Sequence, residues 1–371
     1  MSAIRTFEER DLQIVTDMMY RILRGGRGSA PASLHGYMRS FYLEAPDYEG
    51  ELRSLVHVND AGNVTGFIGA HALPMIHQGR HLLAAVSSSF MVEEGSRDPM
   101  AGARLMRAFH NGPHDLAFTE TANQTSTHMW NRLHAVALPQ YSLDWLQVIR
   151  PSSFVTSLAR KRIGIAGLVS PIAAAVDTFY RKRLHAGEIR WAATPLAGMS
   201  PPTLRVNEIG QDGFIALLDP LTAHFPLRPR WQEMPLRHML GDAAQKPDQG
   251  ELKLASVTTA SGALVGGFAY YPQKGSIARV MQVVARPGQE GAVIDCLTDH
   301  AASCGVAALR GRSQPALMTA MLTRRIAFLP ATNTIVHSRD PVLLEAMLGG
   351  QAFLNGLAGE EWSRLIGGRF D

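Results

Sequence analysis

The chain has 371 residues, 46% of them apolar and 18% charged, with a formal net charge of +4. That length suits two domains or one large one, and the apolar share supplies a packed core, which excludes a disordered or fibrous protein. Two cysteines, Cys296 and Cys304, are too few for a disulfide framework, no His/Cys spacing points to a metal site, and a reducing compartment fits.

The first residues carry acids and no apolar core, so they do not read as a signal peptide. Ile4-Arg5 opens a short strand. Asp11 to Leu23 reads as a helix, because Leu12, Val15, Met18, Met19 and Ile22 recur at helical spacing. Gly25-Gly26 stops it. Leu52 to Val58 and Val64 to Leu73 read as paired strands joined by the turn Asp60-Ala61-Gly62-Asn63. Leu82 to Val92 is a serine-rich strand, and Gly102 to His110 a helix ended by Asn111-Gly112. Asp115 to Thr119 is a short buried strand, and Thr125 to Leu133 a further helix.

From about 151 to 200 the character changes. Arg160-Lys161-Arg162 and Arg181-Lys182-Arg183 flank an Ala/Ile/Val-rich stretch, and Pro195, Pro201 and Pro202 follow. This reads as a basic helical linker ending in an extended connector. Its apolar run, Ile163 to Val176, is broken by Ser170 and Pro171 and falls short of the about 20 residues that span a membrane. A cytoplasmic protein without a transmembrane segment is expected. A solvated helix with charged ends is the plainest reading of the basic clusters. Contact with an acidic carrier protein or a membrane surface is the next, and binding of tRNA the third.

The last region repeats the first in outline. Leu204-Arg205-Val206 opens a strand, and Leu252 to Thr259 and Leu264 to Tyr271 form a hairpin. Ile277 to Ala285 is the next strand. Glu290 to Cys304 is a helix with Val293, Leu297, Ala301 and Cys304 on one face and Gly305 as its cap. Val306 to Leu309 is a short strand.

The chemistry concentrates in Val92-Glu93-Glu94-Gly95-Ser96-Arg97-Asp98-Pro99-Met100-Ala101-Gly102-Ala103. A strand runs into a loop that opens a helix. Such a junction presents unpaired N–H groups and the positive end of a helix dipole to a phosphate. Gly102 permits close backbone approach, and Arg97 adds a charged donor.

This stretch resembles the pyrophosphate loop of the GNAT (GCN5-related N-acetyltransferase) superfamily, Arg/Gln-x-x-Gly-x-Gly/Ala following a strand valine. Val92, Arg97 and Gly102 match in spacing, and Met100 replaces the middle glycine. The family's downstream Asn-x-x-Ala-x-x-x-Tyr pattern falls on Asn123, Ser126 and Trp130. Indole is no general acid at neutral pH, so Trp130 departs from the tyrosine that often protonates the leaving thiolate there. The tail Gly359-Glu360-Glu361-Trp362 resembles the ends of some bacterial tandem proteins of this kind.

The resemblance implies a mixed α/β (α+β) fold of two tandem GNAT-like domains, each a largely antiparallel sheet flanked by helices. Residues 1–150 would form the catalytic acyl-CoA-binding domain and 151–200 the linker. Residues 201–371 would form a degenerate domain, structural or substrate-binding, because Ala285 to Gly291 lacks the loop spacing. It implies acetyl-CoA or another acyl-CoA as co-substrate and no metal. Phe90, Met91, Val92, Arg97, Ala101, Gly102, Ala103, Asn123, Ser126 and Trp130 are the candidate cofactor contacts.

The implied reaction is direct attack on the thioester by an amine, less often a hydroxyl, of a small molecule or peptide. A backbone N–H within Ser87 to Val92 would polarise the carbonyl, and Ser88 is the catalytic candidate there. No GxSxG elbow surrounds it, so a nucleophilic serine is not the reading. Glu120 is the preferred base, ahead of Glu93 and Glu94, while His71 and His128 read as structural histidines. An acyl carrier protein is a candidate partner. The modest charge argues against nucleic acid, and the oligomeric state is left open. Two alternatives stand beside this reading: a FemAB-like transferase drawing on aminoacyl-tRNA, and a non-catalytic acyl-CoA-binding or scaffold protein.

Overall fold

The computed structural model describes residues 2–44, 52–93, 98–163, 170–185, 193–195 and 198–371, side chains at 160–163 and 170–174 excepted. The chain begins with strand β1 (Ala3–Thr6), helices α1 (Leu12–Ile22) and α2 (Ala32–Tyr42), and strands β2 (Leu55–Val58), β3 (Val64–His77) and β4 (Arg80–Val92). Helix α3 (Ala101–His110), strand β5 (Leu116–Ala122), helix α4 (Gln124–Asn131) and strands β6 (Val136–Ala137) and β7 (Leu143–Val148) come next. Helices α5 (Pro151–Ile163) and α6 (Ser170–Lys182) form the middle segment. The remainder runs β8 (Leu204–Glu208), α7 (Gln211–Thr222), β9 (Leu227–Pro229), α8 (Glu233–Ala244), β10 (Lys253–Thr259), β11 (Leu264–Tyr271) and β12 (Ile277–Ala285). It closes with α9 (Glu290–Ser303), β13 (Ala308–Arg312), α10 (Pro315–Thr323), β14 (Ala327–Pro330), β15 (Asn333–Ser338) and α11 (Pro341–Leu348).

Local chemistry accounts for the main elements. In α1 the residues Leu12, Val15, Met18 and Met19 are buried, one face of a helix. In α3 the buried stripe is Ala101, Leu105, Met106 and Phe109. Strands β3 and β4 are joined by Gln78-Gly79, both at positive φ (49° and 88°), the backbone of a two-residue hairpin turn whose twist matches its strands. No helix among the described residues is long and apolar enough to cross a membrane.

Two sheets result. The first has the order β1-β2-β3-β4-β5-β15-β6, with β9 on the outer half of β3, and the second β14-β7-β13-β12-β11-β10-β8. Among the described residues each contains one parallel pair of strands, β4 with β5 and β12 with β13, and its other strand pairs are antiparallel. The repeat is crossed over at one strand. β7, from the first half of the chain, lies between β13 and β14, and β15, from the second half, lies between β5 and β6. Each exchanged strand has neighbours on both sides, so each sheet is completed by chain from the other half.

The largest apolar cluster joins the sheets. It includes Val86 and Phe118 of the first, Ala269, Met281 and Val284 of the second, and Leu354, Leu357 and Trp362 of the C-terminal segment. Separate clusters lie under α9 on the second sheet, holding Cys296, and under α3 and α4 on the first.

Candidate active site

The site begins where a parallel pair stops pairing. β4 and β5 are in register only over Ala84–Val86 and Leu116–Phe118, and beyond that they diverge. The β4 edge toward β5 therefore has no ladder partner past Val86. On its other edge β4 stays with β3 through a bulge: Phe67 faces Met91 and Gly69 faces Ser88, so Ser89 and Phe90 stand opposite the single Ile68. Ser89 has φ 52°, and a bulge of this kind bends the strand and redirects its side chains.

The wedge between β4 and β5 holds a cavity of about 240 Å³. Ser87, Ser88, Ser89 and Phe90 form one wall, and Thr119, Thr121 and Ala122 the other. Asn123, Ser126 and Trp130 close it from α4, and Met19, Leu23 and Arg24 from α1. Glu360, Leu365 and Ile366 enter from the C-terminal segment. The lining is mostly hydroxyl groups and apolar side chains around one carboxylate.

That carboxylate is Glu360, 2% exposed. Its Oε1 accepts hydrogen bonds from Thr119 Oγ1 at 2.9 Å, the Glu120 backbone N–H at 3.2 Å and Thr121 Oγ1 at 3.2 Å. Burial pushes its pKa up to about 7, with these donors pulling the other way.

Glu120 lies on the same strand but faces away, as alternation between Thr119 and Thr121 requires. It is 1% exposed. Its Oε1 accepts the Glu361 N–H at 2.7 Å and the Glu360 N–H, while Oε2 has no partner. Burial first, then the neighbouring Glu361 and Glu360, raise its pKa. Glu120 thus sits beneath residues 359–361 rather than in the cavity. Glu93 pairs with Arg21 at an open surface groove, and Glu94 lies outside the described residues.

Of the other expected site residues, Ser88, Phe90, Asn123, Ser126 and Trp130 line the cavity. Ser88 is held by Tyr42, whose hydroxyl lies 2.8 Å from Ser88 Oγ and donates to Ser89 Oγ at 2.9 Å. Asn123 caps α4, accepting the Ser126 N–H at 2.9 Å. Trp130 is fully buried.

Met91 points instead into the cluster under α1 and α2. Val92 and the helix start Ala101-Gly102-Ala103 are not among the residues that line the cavity. A side chain at Gly102 would meet Met129, Phe90 and Val92, so this helix packs closely on the strand. Asp98 accepts the Met100 N–H at 3.0 Å and is paired with Arg104 and His57. Gly102 and Ala103 occupy the helix start, where N–H groups lack intrahelical acceptors. Arg97 lies outside the described residues.

His71 is packed edge-on against Phe41 and Trp362, and burial lowers its pKa to about 4, so it is neutral near pH 7. His128 is exposed on α4. Two contributors, Tyr42 and Arg24, had no signal in the sequence pattern, and the tail bearing Glu360 was marked only by its resemblance, with no site role given to it. They reach the cavity from 46 or more residues away along the chain in the case of Tyr42 and Ser88, a distance no local motif spans.

The second sheet has the matching wedge. β12 and β13 pair over Ile277–Val280 and Ala308–Gly311, and β12 bulges at Met281, since Ala269 faces Gln282 and Tyr270 faces Val280. Here the C-terminal segment fills the gap. Leu357 N–H donates to Gln282 Oε1 at 3.1 Å, and Asn355 Nδ2 donates to the carbonyls of Tyr141 at 2.9 Å and Ser313 at 3.3 Å. Gly356, at φ 62°, lies so close to Met281 O and Gln282 Oε1 that any Cβ would overlap them.

Ion pairs fasten the strap between the wedges. Arg279 bridges Glu361 and Asp144, Arg310 also pairs with Asp144, and Lys246 donates to the Glu361 carbonyl.

No protein-family model matches the sequence, and no curated protein matches it. Solved structures do share its architecture. A GCN5-related N-acetyltransferase from Anabaena variabilis superposes with a TM-score of 0.60 at 9% identity, covering 92% of this chain and 74% of that one. A GCN5-related N-acetyltransferase from Kribbella flavida gives 0.56 at 12% identity, covering 92% and 72%. Eis1 from Mycobacterium abscessus gives 0.54 at 13% identity, covering 94% and 76%. With its two bulged, splayed sheets, the chain has the tandem fold of the GCN5-related N-acetyltransferases.

Proposed function

We propose that the protein transfers an acyl group from acyl-CoA to an amine of a small molecule or peptide, in the wedge of the first sheet. The observation that carries this reading is Glu360, a buried carboxylate on the wall of a cavity that opens beside the bulge of β4. A bound acyl-CoA would supply the activated thioester carbonyl. The unpaired edge of β4 past Val86 offers N–H groups to polarise such a carbonyl. Ser88, positioned by Tyr42, fixes that edge.

Glu360, rather than Glu120, takes the proton from the attacking amine. A base with a pKa of about 7 is matched to proton transfer near neutral pH. Arg97 and the start of α3 at Ala101-Gly102-Ala103 are the proposed pyrophosphate contacts. The second half serves as scaffold, because its own wedge is filled by Asn355 to Ala358.

Free-thiol release from a panel of acyl-CoAs, run with amine acceptors, tests the activity. Thermal unfolding with each acyl-CoA tests binding separately, since a ligand of the folded state raises Tm by mass action. Absence of both turnover and a Tm shift at saturating acyl-CoA would remove this reading.

A further inference from the structure

We propose that helices α5 and α6 form a docking surface for an anionic lipid bilayer. Charge is the first observation. Residues 151–185 hold six of the chain's 36 Lys and Arg but only one of its 32 acids, Asp177, so the segment is more positive than the whole chain at +4. The one acid is turned inward. Asp177 is fully buried and caps α5, accepting the N–H groups of Ser152 and Ser153 at 2.7 and 2.8 Å. Arg181 is turned inward as well, donating to the carbonyls of Thr194 and Pro195 at 2.8 and 2.6 Å. These two residues fasten the hairpin from its inner side.

The outer side is apolar. Val155 and Leu158 of α5 are 64% and 44% exposed, and Val176, Phe179 and Tyr180 of α6 are 51%, 60% and 40% exposed. Positions 176, 179, 180 and 183 share one face at helical spacing. On that face Arg183 lies over the Phe179 ring at 4.2 Å, and Lys182 and Arg183 are exposed. Arg160-Lys161-Arg162 closes α5, and no charged residue occurs from 163 to 176.

An exposed apolar stripe with cations beside it, and no acid in residues 151–185 besides the buried Asp177, matches the interface of an anionic membrane. Aromatic and aliphatic side chains enter the acyl boundary while Lys and Arg meet phosphates. Each of α5 and α6 has 13 residues, about 20 Å of helix, which suits lying in the interface rather than crossing it. This surface is independent of the acyl-transfer reading.

Flotation of the full chain with vesicles provides the test. One set is phosphatidylcholine alone and the other equal parts phosphatidylcholine and phosphatidylglycerol. Binding to the mixed vesicles only, weakening as salt rises, is the expected result. Phe179→Glu, and separately the pair Lys182→Gln with Arg183→Gln, should each lower the partition coefficient about tenfold or more. Both changes are at exposed positions, and an unchanged melting curve confirms that each variant is folded. No binding to mixed vesicles, or unchanged binding by both variants, overturns the proposal. So does finding that Phe179→Glu abolishes capture of an acidic acyl carrier protein, or self-association, while vesicle binding stays as in the wild type.

Discussion

The two wedges of this protein start from the same geometry and end differently. In each sheet a central parallel pair parts after a few residues, and the strand before the split carries a bulge. In the first sheet the gap stays open and is lined by Ser88, Thr119, Thr121 and Glu360. In the second it is occupied by Asn355 to Ala358, hydrogen-bonded to Gln282 and Ser313. One stretch of chain is responsible for both outcomes. It plugs the second wedge and, four residues after Gly356, presents Glu360 to the first. A duplicated fold thus keeps one wedge open and uses the other to anchor the segment that completes the open one.

The largest effect should come from the open wedge. Glu360→Gln keeps the acceptor for Thr119 and Thr121 but removes the proposed base, and is expected to lower kcat/KM about 10²- to 10⁴-fold while leaving the acyl-CoA Tm shift intact. Turnover equal to wild type would show that Glu360 is not the base. The pH profile sharpens the point. Wild-type kcat/KM should rise through about pH 7 as Glu360 loses its proton, and the variant should lack this limb.

Stability gives the opposite sign. A carboxyl whose folded pKa is raised binds more protons when folded, so its contribution is most favourable at low pH and declines between about 4.5 and about 7. Glu360→Gln should flatten that decline by about 2–3 kcal/mol in denaturant titrations run across this range.

The filled wedge should respond in stability. Arg279→Leu strands the buried Glu361 carboxylate and leaves Asp144 to Arg310, and is expected to cost about 3–5 kcal/mol by urea unfolding. A loss below about 1 kcal/mol would mean the strap is held by its hydrogen bonds alone. Gly356→Ala places a methyl against Met281 O at a positive φ and should cost about 1–3 kcal/mol, again read from unfolding. The smallest effect belongs to Glu120→Gln. Its amide oxygen can accept the same two N–H groups, so activity should stay near wild type. A large loss of kcat with intact folding would return the role of base to Glu120.

Much of the architecture was legible in local pattern. Helix α1, both hairpins, strand β12, helix α9 and the order of elements around Val92 to Ala103 follow from apolar periodicity and turn residues, which act within a few residues of one another. Ser88, Phe90, Asn123, Ser126 and Trp130, named from the sequence as candidates, line the cavity because each lies on an element bordering the wedge. Short or irregular elements escaped. β6 has two residues and β9 three, too few to show a period, and β7 and β15 carry no mark of the sheet they join.

The sequence by itself determined the duplicated order of strands and helices, the serine-rich strand and the basic segment between the halves, because composition and spacing are local properties. Only the tertiary structure decided which strand completes which sheet, which wedge remains open, and that Glu360 rather than Glu120 faces it. Those choices depend on contacts between residues such as Thr119 and Glu360, 241 positions apart. Such pairings arise from how two sheets pack across a shared core, and no periodicity along the chain encodes them.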